Sequence, residues 1–350
     1  MRLSSRTAFA AAAVACATTL AACGADTSGT DDGAIRVVAS TNVWGSIAQA
    51  VAGDRIEVES LITEPNADPH SYEASPLDAA AIGDASLVVY NGGGYDHFVD
   101  DILAASGGGP AVVEAFALFE SGEYSDLHAG HDHGTDENGE SLSDALASEE
   151  HSHEDVNSDD HSHDDHSHEG HDHGGINEHV WYDLATADAV AHAVADRLSE
   201  LDPEGAATYE ANAAAFHENL HYASDLVEKI AETHDGASIA QTETIGHYLV
   251  QAAALNDATP ADFTNAIENG TDPSPAAIAT TRQLLADKQV RVLLYNPQTE
   301  DRISREMRTA AESSGIPVVE VFETLPEGVD YIQWQARTAE NLAAALETAS

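Results

Sequence analysis

The sequence predicts an α/β protein with two lobes, each a small, mainly parallel sheet flanked by helices, and one long helix that joins them. Short apolar, β-branched runs alternate with helix-compatible segments in residues 35–116 and again in residues 237–322, and this alternation is typical of βαβ units. Between the two sets, residues 203–233 carry apolar side chains along one side of a continuous helical pattern. The cleft between the lobes is therefore the expected ligand site.

The first lobe is predicted to span residues 35–200. A polar, acidic segment at residues 121–176 interrupts it, and we expect this segment to be a disordered functional loop, because structureless segments of that length are uncommon inside compact domains. The predicted strands are residues 35–39, 56–62, 87–90 and 111–116, and the predicted helices include residues 43–52 and 76–82.

The linking helix is predicted within residues 201–235. Asp202 is its expected N-cap and Pro203 its first helical residue, a position where proline is favoured. The second lobe, residues 236–350, repeats the alternation of strands and helices. Its predicted strands are residues 237–240, 290–295 and 316–322, and its predicted helices are residues 245–254, 275–287 and 301–314.

The N-terminus has the layout of a secretory signal. Two arginines precede an apolar run at residues 8–22 that is too short to span a bilayer. The run ends in Leu-Ala-Ala before Cys23, which resembles a bacterial lipobox, whose cysteine is acylated and becomes the first residue of the mature protein. We therefore predict a signal peptide at residues 1–22 and a lipid-anchored tether at residues 23–34, which would hold the exported protein at the outer face of the cytoplasmic membrane.

A histidine-rich tract occupies much of the acidic segment. It contains five His-x-His units among Asp, Glu, Ser and Gly. Neutral imidazole is a common ligand of borderline divalent metals, and nearby carboxylates raise the local cation concentration. The tract is interpreted as a weak accessory metal-binding loop, and the alternative is an acidic loop whose histidines are merely solvated. The predicted accessory ligands are His128, His131, His133, His151, His153, His161, His163, His166, His168, His171 and His173.

The charge of the chain favours cations as partners. The sequence has 13 basic and 62 acidic residues, and residues 56–196 contain neither Lys nor Arg. Nucleic acid and anionic bilayers both require positive charge, so nucleic acid is not expected as a partner and the membrane is reached only through the lipid. Removal of residues 1–22 would leave Cys23 as the one cysteine, so we expect neither a disulfide nor a thiolate metal ligand.

Two segments contain candidate metal ligands. His70 lies in Asp-Pro-His-Ser-Tyr-Glu, just after the second predicted strand, where α/β folds place ligand-binding loops. His179 lies in Asn-Glu-His-Val-Trp-Tyr-Asp, directly after the acidic segment. Taken alone, either histidine is more often a hydrogen-bonded structural residue than a ligand.

Together the two segments resemble the motifs of the metal-binding lipoproteins of bacterial zinc and manganese ABC importers, the cluster A-I solute-binding proteins. The resemblance covers essentially the whole chain after the signal, including the histidine-rich insertion before the second motif. It implies that His70 and His179 are ligands and that the second lobe adds two acids. These are Glu243, with Tyr248 five residues on, and Glu323, which is offset by one residue from the usual position.

The resemblance implies a high-affinity Zn²⁺-binding lipoprotein, not an enzyme, that delivers zinc to the ABC permease of a metal importer. Two imidazoles and one or two carboxylates suit Zn²⁺, and bidentate carboxylates also allow Mn²⁺, so a manganese-binding protein of the same class is an alternative. We expect a monomer. Two other classes stay open: an exported zinc hydrolase, which would keep an open coordination position, and a metal buffer that depends on the tract alone.

Other polar residues are expected to have supporting roles. Asn296 follows a strand and faces the cleft, and His247 is expected to point to solvent rather than serve as an accessory ligand. A glycine-rich stretch at residues 91–97 lacks a phosphate-loop pattern, so its glycines are expected to serve backbone conformation. Metal affinity is expected to fall below about pH 6.5, where unperturbed imidazoles become protonated. A solvated or capping role is expected for His192, His217, His221 and His234.

Overall fold

The computed structural model describes residues 34–65, 67–107, 109–124 and 176–348. These residues form two four-stranded sheets in which every strand pair is parallel, with helices packed on the sheets. The predicted α/β class is therefore confirmed. No helix in the described part of the chain combines the length and apolarity needed to cross a bilayer. Cys23 and the tract histidines between residues 128 and 173 lie outside the described residues.

The first lobe has β1 at its centre, in the strand order β2-β1-β3-β4. Its elements are β1 Val37–Thr41, α1 Asn42–Ala52, β2 Val58–Ile62, α2 Pro76–Gly83, β3 Leu87–Tyr90, α3 Phe98–Ser106, β4 Ala111–Glu114 and α4 Ala115–Ser121. β1 is buried along its whole length because apolar side chains cover both of its faces. The start of α2 is set by Ser75, whose hydroxyl accepts backbone hydrogen bonds while the Asp78 carboxylate accepts one from the Ser75 backbone N–H.

Two long helices follow the histidine-rich tract: α5, Leu184–Leu201, and α6, Ala206–His234. The prediction that Asp202 caps the second of these helices and that Pro203 begins it is wrong. The Asp202 carboxylate instead accepts hydrogen bonds from the Arg55 guanidinium and the Tyr209 hydroxyl, each at 2.7 Å. This ion pair draws Asp202 away from the capping position, and α6 begins three residues later than predicted.

The second lobe repeats the architecture with the strand order β6-β5-β7-β8. β6 and α8 have no counterpart in the sequence prediction, because β6 is two polar residues long and exposed. The elements are β5 Ser238–Gln241, α7 His247–Ala252, β6 Asn256–Asp257, α8 Ala261–Glu268, α9 Pro275–Ala286, β7 Leu293–Tyr295, α10 Arg302–Ser314, β8 Val318–Glu320 and α11 Tyr331–Thr348.

The two lobes share one apolar core. It contains Trp44 of the first lobe, Phe216 of α6 and Trp334 of α11, and α6 packs against α1, α5 and α11. Polar contacts also cross between the lobes: Asn42 and the Leu325 backbone exchange two hydrogen bonds of 3.0 and 2.8 Å. The carboxyl ends of both sheets open into the space between the lobes, which is where parallel α/β sheets place their ligands.

Candidate metal site

His70 lies in a short 3₁₀ helix, Pro69–Ser71, that follows β2. The carboxylate of Asp68 accepts a hydrogen bond of 2.9 Å from the His70 backbone N–H, and this cap fixes the turn. The edge of the imidazole packs against Tyr95, with 4.7 Å between ring centroids. Its Nε2 atom is buried without a hydrogen-bond partner among the described residues. An imidazole nitrogen in that state is suited to bind a metal ion.

His179 is the residue before a second 3₁₀ helix, Val180–Tyr182, and is 1% exposed. Its Nδ1 lies 3.0 Å from the Asn177 side-chain oxygen, which can only accept, so the proton is on Nδ1 and Nε2 has the lone pair. Asn177 is held in turn by its amide group, which donates to the Thr244 hydroxyl at 2.9 Å. The Nε2 atom of His179, like that of His70, is buried without a hydrogen-bond partner in the described chain.

The two imidazoles face one another inside an aromatic layer. Their ring centroids are 5.7 Å apart, and Trp181 lies 5.1 Å from His179. Burial lowers the pKa of both imidazoles, and in His179 the neighbouring His70 lowers it further. Both rings are therefore neutral at neutral pH, which is the form that binds metal.

A glycine-rich turn at residues 91–97 holds Tyr95 in this layer. The three glycines after Asn91 have φ values of 75°, 64° and 88°, where glycine has no steric penalty. The buried Asp96 carboxylate accepts 2.8 Å hydrogen bonds from the backbone of Asn91 and of the first of these glycines. The expected conformational role of the glycines is confirmed, and the Tyr95 hydroxyl reaches within 3.5 Å of the Glu323 carboxylate.

The predicted carboxylate ligands form an inner pair in the second lobe. Glu243 follows β5 and Glu323 follows β8, and they are 3% and 2% exposed. Asn296, which follows β7, donates one amide hydrogen to each carboxylate, at 2.6 and 2.8 Å. Thr299 donates a further hydrogen bond of 2.5 Å to Glu243. The ends of three strands of one sheet thus bring the two acids to the side-chain amide of Asn296, which faces the cleft as expected.

Two further carboxylates, Glu178 and Glu268, lie on the solvent side of the histidines. Glu178 is 4.0 Å from Nε2 of His70, and Glu268 is 3.6 Å from Nε2 of His179. Ligand-type atoms of these four residues lie within 4.8 Å of one another, and the Glu243 and Glu323 pair is outside this group. Neither acid was among the candidate ligands predicted from the sequence. Glu178 stands beside His179 in the motif, which was a usable signal, whereas Glu268 ends the unpredicted helix α8.

A cavity of about 1140 Å³ opens from this outer group to solvent. Among the described residues that line it there are carboxylates and histidines but no Lys or Arg. Burial raises the pKa of Glu178 and of Glu243 to about 7, and it also raises the pKa of Glu268 and of Glu323. The negative charges of neighbouring acids raise the pKa of Glu178, Glu243 and Glu323 further. Near neutral pH Glu178 and Glu243 are therefore partly protonated, and a divalent cation can replace those protons.

The remaining predicted residues lie at the margin of the site. His247 is exposed at the rim of the cavity, in agreement with its expected orientation to solvent. Nothing in the described chain bears on the tract histidines or on Cys23.

Neutral imidazoles and buried or half-buried carboxylates between two α/β lobes are the side chains that two-lobed metal-binding proteins use. Comparisons with solved structures agree on the fold. The periplasmic zinc-binding protein TroA of Treponema pallidum is 16% identical with a TM-score of 0.64, covering 90% of this chain and 99% of that one. The laminin-binding adhesin Lmb of Streptococcus agalactiae, as a mutant, is 19% identical with a TM-score of 0.62, covering 89% and 99%.

Residues 37–345 match the family described as zinc-uptake complex component A, periplasmic, and the chain belongs to this family. Two curated relatives are streptococcal substrate-binding lipoproteins of metal ABC transporters. ScbA of Streptococcus cristatus is 24% identical over 335 residues, covering 93% of this chain and 94% of the relative. The manganese protein scaA of Streptococcus gordonii is 25% identical over 305 residues, covering 85% and 83%. The family consists of substrate-binding components of ABC transporters, so the chain is a binding protein and not an enzyme.

Proposed function

We propose that the protein captures Zn²⁺ outside the cytoplasm, anchored through a lipid on Cys23, and delivers it to the permease of an ABC importer. One observation carries the proposal. The buried Nε2 atoms of the neutral imidazoles have no hydrogen-bond partner among the described residues, and they lie beside the carboxylates of Glu178 and Glu268, whose pKa values are raised. The more deeply buried carboxylates of Glu243 and Glu323 also have raised pKa values. Buried polar atoms without a partner destabilise the folded protein unless a ligand binds them. A divalent cation can bind the imidazole nitrogens and the carboxylate oxygens at the same time.

The proposed ligands are His70, His179, Glu243 and Glu323. The carboxylates of Glu243 and Glu323 are almost completely buried. Tyr95 contacts both sides of the site, because its hydroxyl lies 3.5 Å from the Glu323 carboxylate and its ring packs against His70. Glu178 and Glu268 line the open cavity instead, so we assign them to attracting and guiding the incoming ion. Four protein ligands leave no coordination position for an activated water, in keeping with a carrier.

Zinc is the proposed metal because two imidazoles favour it and because the family is named for zinc uptake. Manganese is the second candidate, since several relatives are named manganese proteins and carboxylate oxygens suit Mn²⁺. The histidine-rich tract is proposed to collect zinc weakly near the site.

Delivery requires release to the permease. The lobes share an apolar core and direct hydrogen bonds, so a wide hinge opening would expose much apolar surface. We therefore propose that release proceeds by small movements of lobes and loops.

The test is a competitive titration of the mature protein with Zn²⁺ and Mn²⁺ in chelator-buffered solutions. The wild-type protein should show one tight site that prefers Zn²⁺. His179→Ala should weaken that site by more than about 100-fold, since even residues that orient a ligand contribute about 10–100-fold. His234→Ala, at the far end of α6, is the matched control and should bind as wild type. Unchanged affinity in His179→Ala would refute the site, and tighter binding of Mn²⁺ would refute the choice of metal.

A further inference from the structure

A second group of metal-ligand side chains lies between α5 and α6, outside the cleft. Asp188 and His192 are four residues apart on α5, and His217 and His221 are four residues apart on α6. Residues at this spacing lie on the same face of a helix. The helices pack against each other, so the two pairs meet at one interface. These histidines were expected to be solvated or to cap helices, but His192 and His217 lie beside one carboxylate, that of Asp188, and His221 lies against His217.

The geometry of this interhelical cluster is close. Asp188 is fully buried, and its carboxylate lies 2.8 Å from Nδ1 of His217 and 3.9 Å from Nε2 of His192. Ligand-type atoms of these three residues lie within 4.8 Å of one another. The ring of His221 is 5.0 Å from that of His217, so a fourth candidate ligand is adjacent. The side chains of His192 and His217 are 24% and 21% exposed, which leaves access from solvent.

We propose that this interhelical cluster is a second site for a borderline divalent cation such as Zn²⁺. Helical bundles build metal sites from carboxylates and imidazoles that are one turn apart on facing helices, and both helices here carry such a pair. With metal–ligand distances of about 2.0–2.2 Å, ligand atoms would sit about 3.3–3.6 Å apart. The spacing of 2.8 Å between Asp188 and His217 would have to widen and the spacing of 3.9 Å between Asp188 and His192 would have to shorten, each by less than about 1 Å.

The position of the interhelical cluster gives it a role separate from the cleft. Tyr124, the last described residue before the histidine-rich tract, stacks on His192 with 6.3 Å between ring centroids. Its hydroxyl donates a hydrogen bond of 2.6 Å to Asp196 of α5. A metal ion here would cross-link α5 to α6 at the point where the tract leaves the lobe. This second cation site is independent of the metal and of the ligands proposed for the cleft.

The test uses histidine modification by diethyl pyrocarbonate in the full mature chain, read residue by residue by mass spectrometry. Saturating Zn²⁺ should slow modification of His192 and His217 by roughly tenfold when about nine-tenths of the site is filled, because coordinated nitrogens do not react. Asp188→Asn keeps the shape and the possibility of a hydrogen bond from His217 but removes the charge. It should abolish the protection.

A second variant covers the case in which Asp188→Asn fails to fold. His192→Ala changes a partly exposed position and should abolish protection of His217 while chelator-buffered Zn²⁺ affinity of the cleft stays at the wild-type value. His234→Ala should leave the protection intact. Equal modification of His217 with and without Zn²⁺ in the wild-type protein would overturn the proposal, as would full protection in either the Asp188 or the His192 variant. Loss of cleft affinity is a separate readout and would challenge the proposed function instead.

Discussion

The two lobes contribute different chemistry to the cleft. The first lobe presents nitrogen: His70 and His179 are neutral because burial lowers their pKa. The His70 backbone N–H donates to Asp68, which holds its turn, and Nδ1 of His179 donates to Asn177, which orients its ring. The second lobe presents oxygen: Glu243 and Glu323 share Asn296 and have raised pKa values. The nitrogen side is ready for a metal before it arrives, whereas the oxygen side must give up protons. With the proposed ligands, metal capture would therefore release protons from the carboxyl groups of the second lobe.

The largest expected effect concerns the oxygen side. Glu243→Gln keeps the size of the side chain but removes its charge, and Zn²⁺ affinity should fall by more than about 100-fold, as for loss of a direct ligand. Chelator-buffered titration measures the loss. Glu178→Gln is the matched control on the solvent side and should reduce affinity much less. If Glu178→Gln were the more damaging change, the outer group with Glu268 would hold the ion and the proposed ligand set would be wrong.

A smaller loss is expected when the nitrogen side loses its orientation. Asn177→Ala removes the acceptor that keeps the proton on Nδ1 of His179, and second-layer partners of this kind contribute about 10–100-fold to metal affinity. Asn177→Asp should restore most of the affinity, because a carboxylate oxygen also accepts from Nδ1. Equal binding by Asn177→Ala and the wild type would show that the ring needs no such support.

The smallest expected effect is the change in metal affinity per pH unit. It distinguishes protonation of the carboxylates of the second lobe from protonation of the imidazoles of the first lobe. The raised pKa of Glu243, about 7, means that the metal-free carboxyl is protonated below that pH and that metal must displace the proton. Affinity should therefore fall about tenfold per pH unit for each proton displaced as the pH drops below about 7. Because the imidazole pKa values are lowered, protonation of Glu243 rather than of the imidazoles is the expected cause of this decline, and the predicted fall in affinity below about pH 6.5 stays a prediction. Isothermal calorimetry in buffers of different ionisation enthalpy counts the released protons. No proton release at pH 6 would contradict the assignment.

Patterns along the chain predicted most of the fold. Strand and helix alternation located three strands of the second lobe and the whole first sheet, because buried parallel strands are short apolar runs. β6 was missed because Asn256–Asp257 is polar and two residues long. The predicted start of α6 was wrong because Asp202 pairs with Arg55, which lies 147 residues earlier in the chain, and local sequence rules cannot predict such a contact.

The same limit applies to the polar sites. His70 and His179 could be found because each is part of a dense local motif. Glu268 has no motif and approaches His179 only because α8 packs in the second lobe. The cluster around Asp188 was missed for a related reason: each helix carries an ordinary one-turn pair, and only the packing of α5 on α6 makes the pairs face each other. Local motifs therefore predict candidate ligands, and tertiary packing decides which of them meet.

The aromatic layer around the histidines has an optical consequence. Trp181 is one of three tryptophans in the chain and lies 4.6 Å from Tyr95 and 5.1 Å from His179, between ring centroids. Its emission therefore senses the charge and the electronic state of whatever occupies the cleft. A paramagnetic ion such as Mn²⁺ would quench this fluorescence, whereas Zn²⁺, with a filled d shell, would alter it only through its charge. If the metal binds in the cleft as proposed, tryptophan fluorescence would distinguish Mn²⁺ from Zn²⁺ without any added dye.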